Sequence, residues 1–450
     1  TLTHQFPVIY KPSHLRTTQV SSPVVFLAYL YRHQSNMART AADKYSPPIA
    51  IIGGGPCGLV LARLLEQNDI DYVVYERDAN STPTPMYQGG TLDLHPSSGQ
   101  QALKDAGLFE EFKKLARFDA TRFVIQNTTC TLKQDFEEGR DAPEIDRYQL
   151  QQILLDSIPS HKVHWDHTVQ GIEMGMHGWL IRFVNGSTAS GFQLIVGADG
   201  AWSKVRAVLT SAKPEYSGKM FIEGRISHKN PSYVAAVETS GPGNMMAVGH
   251  GRSLGVQQVS DKSYRLYLGM KAAEDVTRNT LQLADTEGSR EKLLNSPEFF
   301  GDFAPELKQF ISDAEGPFRP WPLYRMPVSS TNWARVPGVT LIGDAAHVST
   351  PFVGEGVNMA MFDALKLMNS IKKHCGGGID GQLKDCSGIE TAVAEYENDM
   401  FPRAQSFISR CIASEGIFFA EDAAAEFIDV ITNEAKQKEV FGDKLGHMDV

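Results

Sequence analysis

The sequence predicts an α/β chain: a Rossmann-type dinucleotide-binding domain, a second domain on a mostly antiparallel β-sheet, and C-terminal helices. Three observations predict it. A strand, glycine turn, helix, strand pattern occupies 48–76, strand-like alternation occupies 219–271, and helical periodicity dominates 356–372 and 388–439. The 450 residues suit two or three domains. Hydrophobic residues are 42% and charged residues 21%, which is globular usage and excludes a mainly disordered chain or a coiled coil. No apolar run approaches the ~18–20 residues that span a bilayer. A formal net charge of −10 argues against a nucleic-acid partner held through phosphates. The five cysteines are widely spaced and form no Cys-x-x-Cys pair, so neither a disulfide framework nor a metal site is expected, and a reducing, cytoplasmic setting fits.

In chain order, residues 1–45 carry no acidic side chain before Asp43 and read as a disordered leader or an organelle-targeting segment, outside the fold argument. Residues 48–52 are a short apolar strand, 59–67 an apolar-faced helix, and 71–76 a second strand. One or two helices fill 91–117, with Gly107 as a stop. A helix over 145–157 follows Asp146, which suits an N-cap. Short strands run from 163 to 196, and Asn185-Gly186 makes a hairpin turn among them. Within 219–271, residues 256–270 alternate around the polar turn Ser260-Asp261-Lys262-Ser263. A helix is expected over 297–314, a buried strand over 339–342, and a glycine-rich loop over 375–388. The resulting partition places 46–108, 138–210 and 323–355 in the dinucleotide domain. It places 109–137 and 211–322 in the substrate domain, and 356–450 in the helical region.

Gly53-x-Gly55-x-x-Gly58 sits between strand and helix, with Glu76 closing the next strand. Gly53 permits the tight turn, Gly55 lets the backbone approach a pyrophosphate, and Gly58 allows close helix packing. The helix N-terminus offers free N–H groups and a positive dipole end to the phosphates. Glu76 would accept hydrogen bonds from a ribose, with Arg77 beside it. This motif alone does not choose between NAD and FAD.

Two further segments choose FAD. Gly197-Ala-Asp199-Gly200 and Gly343-Asp344-Ala-Ala-His347 each place a carboxylate at the end of an apolar strand. An ionised carboxylate only accepts hydrogen bonds, which suits the hydroxyls of a ribityl chain. Pro351-Phe-Val-Gly354-Glu-Gly356 then leads into a helix whose N–H groups would face the flavin pyrimidine edge.

These three segments in this order resemble the fingerprints of the single-component, FAD-dependent aromatic monooxygenases with the p-hydroxybenzoate-hydroxylase fold. The likeness covers roughly 48–430. The run Gly89-Gly90-Thr-Leu-Asp93-Leu-His95 is similar to the tetracycline-inactivating subgroup. The resemblance implies flavin contacts for Asp93 and Arg147, and the Arg147 guanidinium could also hold a phosphate through its fork of donors. Met86 stands where the tetracycline-inactivating enzymes carry an Arg linked to NADPH. Glu223, Met245 and Tyr267 replace their polar substrate contacts, which argues against tetracycline as the substrate. The implied reaction uses NADPH or NADH and O2 to hydroxylate a small aromatic or polyketide-like molecule through a flavin C4a-hydroperoxide. No catalytic side chain is required, since the flavin carries the chemistry; His347 is a minor candidate. Met220, Glu223, His250, Tyr267 and Phe352 are the candidate substrate residues. A flavin oxidase, reductase or halogenase on the same scaffold is the alternative, as is a non-catalytic flavin- or ligand-binding protein. A monomer or homodimer is expected.

Overall fold

The computed structural model describes residues 47–82, 90–136, 141–176, 178–376 and 386–441. The expected leader over 1–45, Met86, Gly89 and most of the glycine-rich loop at 375–388 lie outside the described residues. The first sheet is parallel. β1 (Ile49–Ile52) lies between β2 (Tyr72–Tyr75) and β11 (Leu194–Gly197), with β7 (Val163–His164) and β17 (Val339–Leu341) at the two edges. β1, β2, β11 and β17 are buried along their whole length. That is why they read as continuous apolar runs: a parallel sheet is covered on both faces. Helix Pro56–Glu66 starts directly after the glycine turn, with Pro56 in its first turn, where a missing N–H costs nothing.

A small meander of β8 (Val169–Gly175), β9 (Gly178–Phe183) and β10 (Thr188–Ser190) flanks this sheet. Its last turn holds Asn185 and Gly186, the latter at φ 86°. A two-stranded ribbon pairs β3 (Thr91–Asp93) with β6 (Glu144–Asp146) antiparallel.

The large sheet has the order β16–β12–β15–β14–β13–β4–β5. Its strands are β4 (Phe123–Gln126), β5 (Lys133–Phe136), β12 (Glu215–Ile226), β13 (Asn244–Gly249), β14 (Arg252–Gln258), β15 (Tyr264–Lys271) and β16 (Glu315–Arg325). All its pairs are antiparallel except β13 with β4. One face packs Met220, Ile222, Leu266 and Leu268 against Phe310 and Ile311 of an outer helix and Phe300 of the turn before it. The strand period of two turns Phe221 and Met246 to the opposite face.

Several expectations change. The helix expected over 297–314 is confined to Pro305–Asp313, and a separate helix, Thr286–Asn295, precedes the expected range. Between them the buried Phe299, Phe300 and Phe303 plug the second core from a turn. Asp146 does stand at the N-cap of helix Arg147–Asp156, but its side chain does not cap it. Its two oxygens accept instead from the backbone N and Oγ of Ser260, at 3.1 and 2.5 Å. Helix Phe109–Leu115 buries Phe112 in the core of the parallel sheet, and β16 carries the large sheet as far as Arg325. Helices Gly356–Cys375, Cys386–Phe418, Ala423–Thr432 and Glu434–Phe441 complete the fold. Among the described residues, no helix is long and apolar enough to cross a membrane.

Candidate flavin and substrate site

The glycine turn is crowded at Gly53 and Gly58 and open at Gly55. Gly53 has φ 111°, and a Cβ there would lie 2.3 Å from the Ala198 carbonyl oxygen. A Cβ on Gly58 would lie 2.2 Å from the Gly53 carbonyl oxygen. Gly55 is different: a Cβ there meets nothing within 4 Å. Gly55 is also the N-cap of helix Pro56–Glu66, so the helix end faces open space. Buried Glu76 is oriented by two backbone donors, Gly54 N at 2.5 Å and Asp78 N at 3.0 Å. Arg77 is exposed.

The second and third motifs meet at the C-terminal ends of β11 and β17. Asp199 directs its carboxylate inward, accepting from Ser203 Oγ at 2.5 Å and Lys204 N at 2.7 Å. Burial pushes its pKa up, against the pull of these donors. This carboxylate therefore shapes the turn. Asp344 is exposed at the first position of the short helix Asp344–His347. Buried Arg206 stitches the two motifs, donating to the carbonyls of Ala201 (2.7 Å), Asp344 (2.9 Å) and Ala345 (2.7 Å). Arg206 lies beyond the second motif, shortly after Gly200, where no sequence pattern marks it.

Beneath the third motif is a buried ion cluster. Asp363 Oδ2 accepts from Gly343 N at 2.8 Å and contacts His347 Nε2 at 2.6 Å, while its Oδ1 accepts from Arg403 at 2.7 Å. Burial alone would raise the Asp363 pKa, but His347 and Arg403 hold it down at about 2. His347 is thus a scaffold residue of the motif. Cys57 donates to the Ala360 carbonyl at 2.9 Å, and burial pushes its thiol pKa well up, as expected of a packed and unreactive side chain.

Loop 351–356 lies between Asp93 and the large sheet. Gly354, at φ 65°, points its missing Cβ to within 3.5 Å of Asp93 Oδ2. Asp93 pairs with His95 Nε2 at 3.0 Å. Asn358 straps the same strand, donating to the Asp93 carbonyl and accepting from His95 N. Glu355 takes both terminal nitrogens of Arg410 at 2.6 Å. Gly356 opens its 20-residue helix, and a Cβ there meets nothing within 4 Å. Arg147 is exposed, and its backbone N donates to the Gly90 carbonyl at 3.3 Å.

Toward the large sheet, the Phe352 ring lies 6.0 Å from Phe221, tilted to it, and packs on Phe418 and Phe419. Glu223 and Tyr267 are cross-strand partners, and a Cβ on Gly90 would lie 2.7 Å from the Tyr267 hydroxyl. Burial pushes the Tyr267 pKa up, so its hydroxyl stays protonated. A cleft of about 430 Å³ opens beside them, lined by Glu223, Arg265, Tyr148 and Arg319 among others. Two expected substrate residues are elsewhere. Met220 falls on the opposite parity of β12 and lies in the outer core with Met270, and Met245 is buried there too. His250 is a turn residue at φ 53° between β13 and β14, facing Asp302 at 3.2 Å. Among the described residues no cluster of His, Cys, Asp and Glu could hold a metal ion.

The model of the family described as "FAD binding domain" matches residues 47–394. The chain is similar to Monooxygenase penA of Penicillium thymicola, 30% identical over 412 residues, covering 82% of this chain and 94% of that protein. It is similar to Monooxygenase asqM of Emericella nidulans, 28% identical over 437 residues, covering 86% and 98%. Among solved structures, Klebsiella pneumoniae HpxO complexed with FAD and uric acid shares the fold, with a TM-score of 0.68 at 20% identity over 88% of this chain and 98% of that one.

Proposed function

The chain belongs to the FAD-binding-domain family of flavin monooxygenases, and from that premise we propose that it uses NADPH or NADH and O2 to hydroxylate a small aromatic or polyketide-like substrate. One observation carries the reading. Loop 351–356 lies against the Asp93 carboxylate at Gly354 and against Phe221 of the large sheet at Phe352. A planar ring held at this loop has the cofactor motifs on one side and an aromatic face on the other.

The residues fit FAD. Open helix ends at Gly55 and Gly356 would take the pyrophosphate and the flavin pyrimidine edge. Glu76 would hold the adenosine ribose, and exposed Asp344 the ribityl hydroxyls. The Arg147 guanidinium would reach a phosphate or the flavin edge. Asp199 serves by shaping the turn rather than by offering its carboxylate. Bound FAD supplies hydride acceptance and oxygen activation; the protein supplies position, exclusion of water and electrostatics. Phe221, Tyr267 and Phe352 form the apolar part of the substrate face, and Glu223 supplies a polar contact. The working form is a cytoplasmic monomer or homodimer.

The test is a visible spectrum of the purified full chain, then anaerobic addition of NADPH and NADH. Flavin bands that bleach with either nicotinamide support the reading. Peroxide formed from a substrate with no nicotinamide would point to an oxidase. Absence of flavin even after reconstitution with FAD would overturn the assignment.

A further inference from the structure

Glu144 lies in no motif, yet it faces Asp93, which the functional reading above puts at the flavin edge. It stands directly opposite Asp93 across the β3–β6 ribbon. Directly opposed residues project from the same face with Cβ atoms ~4.5–5.5 Å apart, and like charges there repel. Asp93 is answered by His95. Glu144 is answered from the other domain's sheet. Its Oε2 accepts from Arg117 at 2.6 Å, and its Oε1 from Gln257 of β14 at 3.2 Å. Arg117 is itself tied to the large sheet, donating to the carbonyls of Pro242 (3.1 Å) and Gln258 (2.9 Å). Both side chains of the Glu144–Arg117 pair are nearly buried, at 9% and 13% exposure.

We propose that Glu144 is a proton-storing positioning residue. It takes up one proton from solvent when hydride transfer from the nicotinamide adds negative charge to the flavin beside Asp93, and it returns that proton to solvent when the flavin is reoxidised. The inference rests on FAD occupying the site as read above. Each step balances: the nicotinamide loses a hydride to the flavin, and the carboxylate gains a proton from water without changing its own oxidation state. Arg117 holds the carboxyl in place through its donors.

The surroundings put the proton within reach. Burial drives the Glu144 pKa up to about 7, with Asp93 adding to the rise and Arg117, Gln257 and Thr91 opposing it. Tyr267 senses the same carboxyl from β15 and is itself held neutral. A group half-charged near neutrality responds to one new nearby charge by binding a proton.

The experiment poises the FAD-reconstituted full chain against a redox dye across about pH 6 to 8, and compares it with Glu144→Gln. A two-electron couple that takes up one proton shifts its oxidised-to-reduced ratio about tenfold per pH unit. The parent is expected to shift more steeply, and Glu144→Gln to fall back to about tenfold while binding FAD within about threefold of the parent by fluorescence titration. Gln257→Leu removes a donor to the charged form, so the steep window should move to higher pH. Equal slopes in the parent and Glu144→Gln would overturn the proposal while leaving FAD binding and reduction intact. A parent that binds no FAD would overturn both this proposal and the functional reading.

Discussion

A buried carboxylate must be met by donors, and Asp363 has three partners: Gly343 N, His347 and Arg403. Asp363→Asn keeps the shape but leaves Arg403 facing a neutral amide. Breaking a buried pair from one side costs about 3–5 kcal/mol. We expect a loss of that order in denaturant unfolding, together with weaker FAD retention, because Gly343 opens the third motif. The pKa of Asp363 is depressed, so its contribution is present above ~3.8 and is lost as pH falls through about 2. Glu144 runs the other way. Its raised pKa means its contribution is complete below ~4.5 and is lost as pH rises through about 7. Glu144→Gln should therefore flatten the stability profile between those values, by up to about 3 kcal/mol; an unchanged profile would refute the burial argument. None of this was legible in the sequence beyond His347 itself. Asp363 and Arg403 sit inside apolar helical periodicity, and only folding brings them under the motif.

Elements were legible where their signal is local. The glycine turn, the two strand-end Asp motifs and the β14–β15 hairpin all announce themselves within a few residues. β16 did not. It carries Pro317, Pro320 and Pro322, which demote a strand reading. They are tolerated because, among the described residues, β16 is the sheet edge and pairs only with β12. The glycine turn yields a prediction with an internal control. Gly53→Ala forces a Cβ to 2.3 Å from Ala198 O at φ 111°, so both the fold and FAD binding should suffer. Gly55→Ala meets nothing within 4 Å and has φ −76°, which alanine adopts freely. Its apo-protein stability should stay within about 1 kcal/mol of the parent, while FAD affinity falls at least about tenfold because the methyl occupies the pyrophosphate approach. Thermal melts of the apo-proteins and FAD fluorescence titrations separate the two cases. Equal FAD affinity in Gly55→Ala and the parent would place the phosphates elsewhere.

At the scale of the molecule, helix Cys386–Phe418 joins what the sequence divides into domains. Tyr396, Met400 and Ala404 enter the core of the parallel sheet, and Phe407, Ile408 and Cys411 form a cluster with Val353 and Met359. Phe418 packs with Phe352 beside the large sheet. Polar clamps run along the same helix. Arg403 holds Asp363, Arg410 holds Glu355, Ser414 donates to the Phe352 carbonyl at 2.7 Å, and Glu415 pairs with Lys219 and Arg325. Helical periodicity at 388–439 predicted the helix but not its partners, which lie up to 196 residues away, as for Lys219 and Glu415. With this helix spanning both sheets, the two should unfold together rather than as separable domains. Glu415 is 3% exposed, whereas Lys219 and Arg325 keep 18% and 27%. Glu415→Ala should thus cost about 2–3 kcal/mol, below the ~3–5 of a fully buried pair, because both cations regain water. Far-ultraviolet dichroism and flavin release should still report one coincident transition in the variant, shifted to lower temperature. Flavin release well before the loss of secondary structure would instead mean that the clamp serves the third-motif loop alone, with the two sheets folding independently.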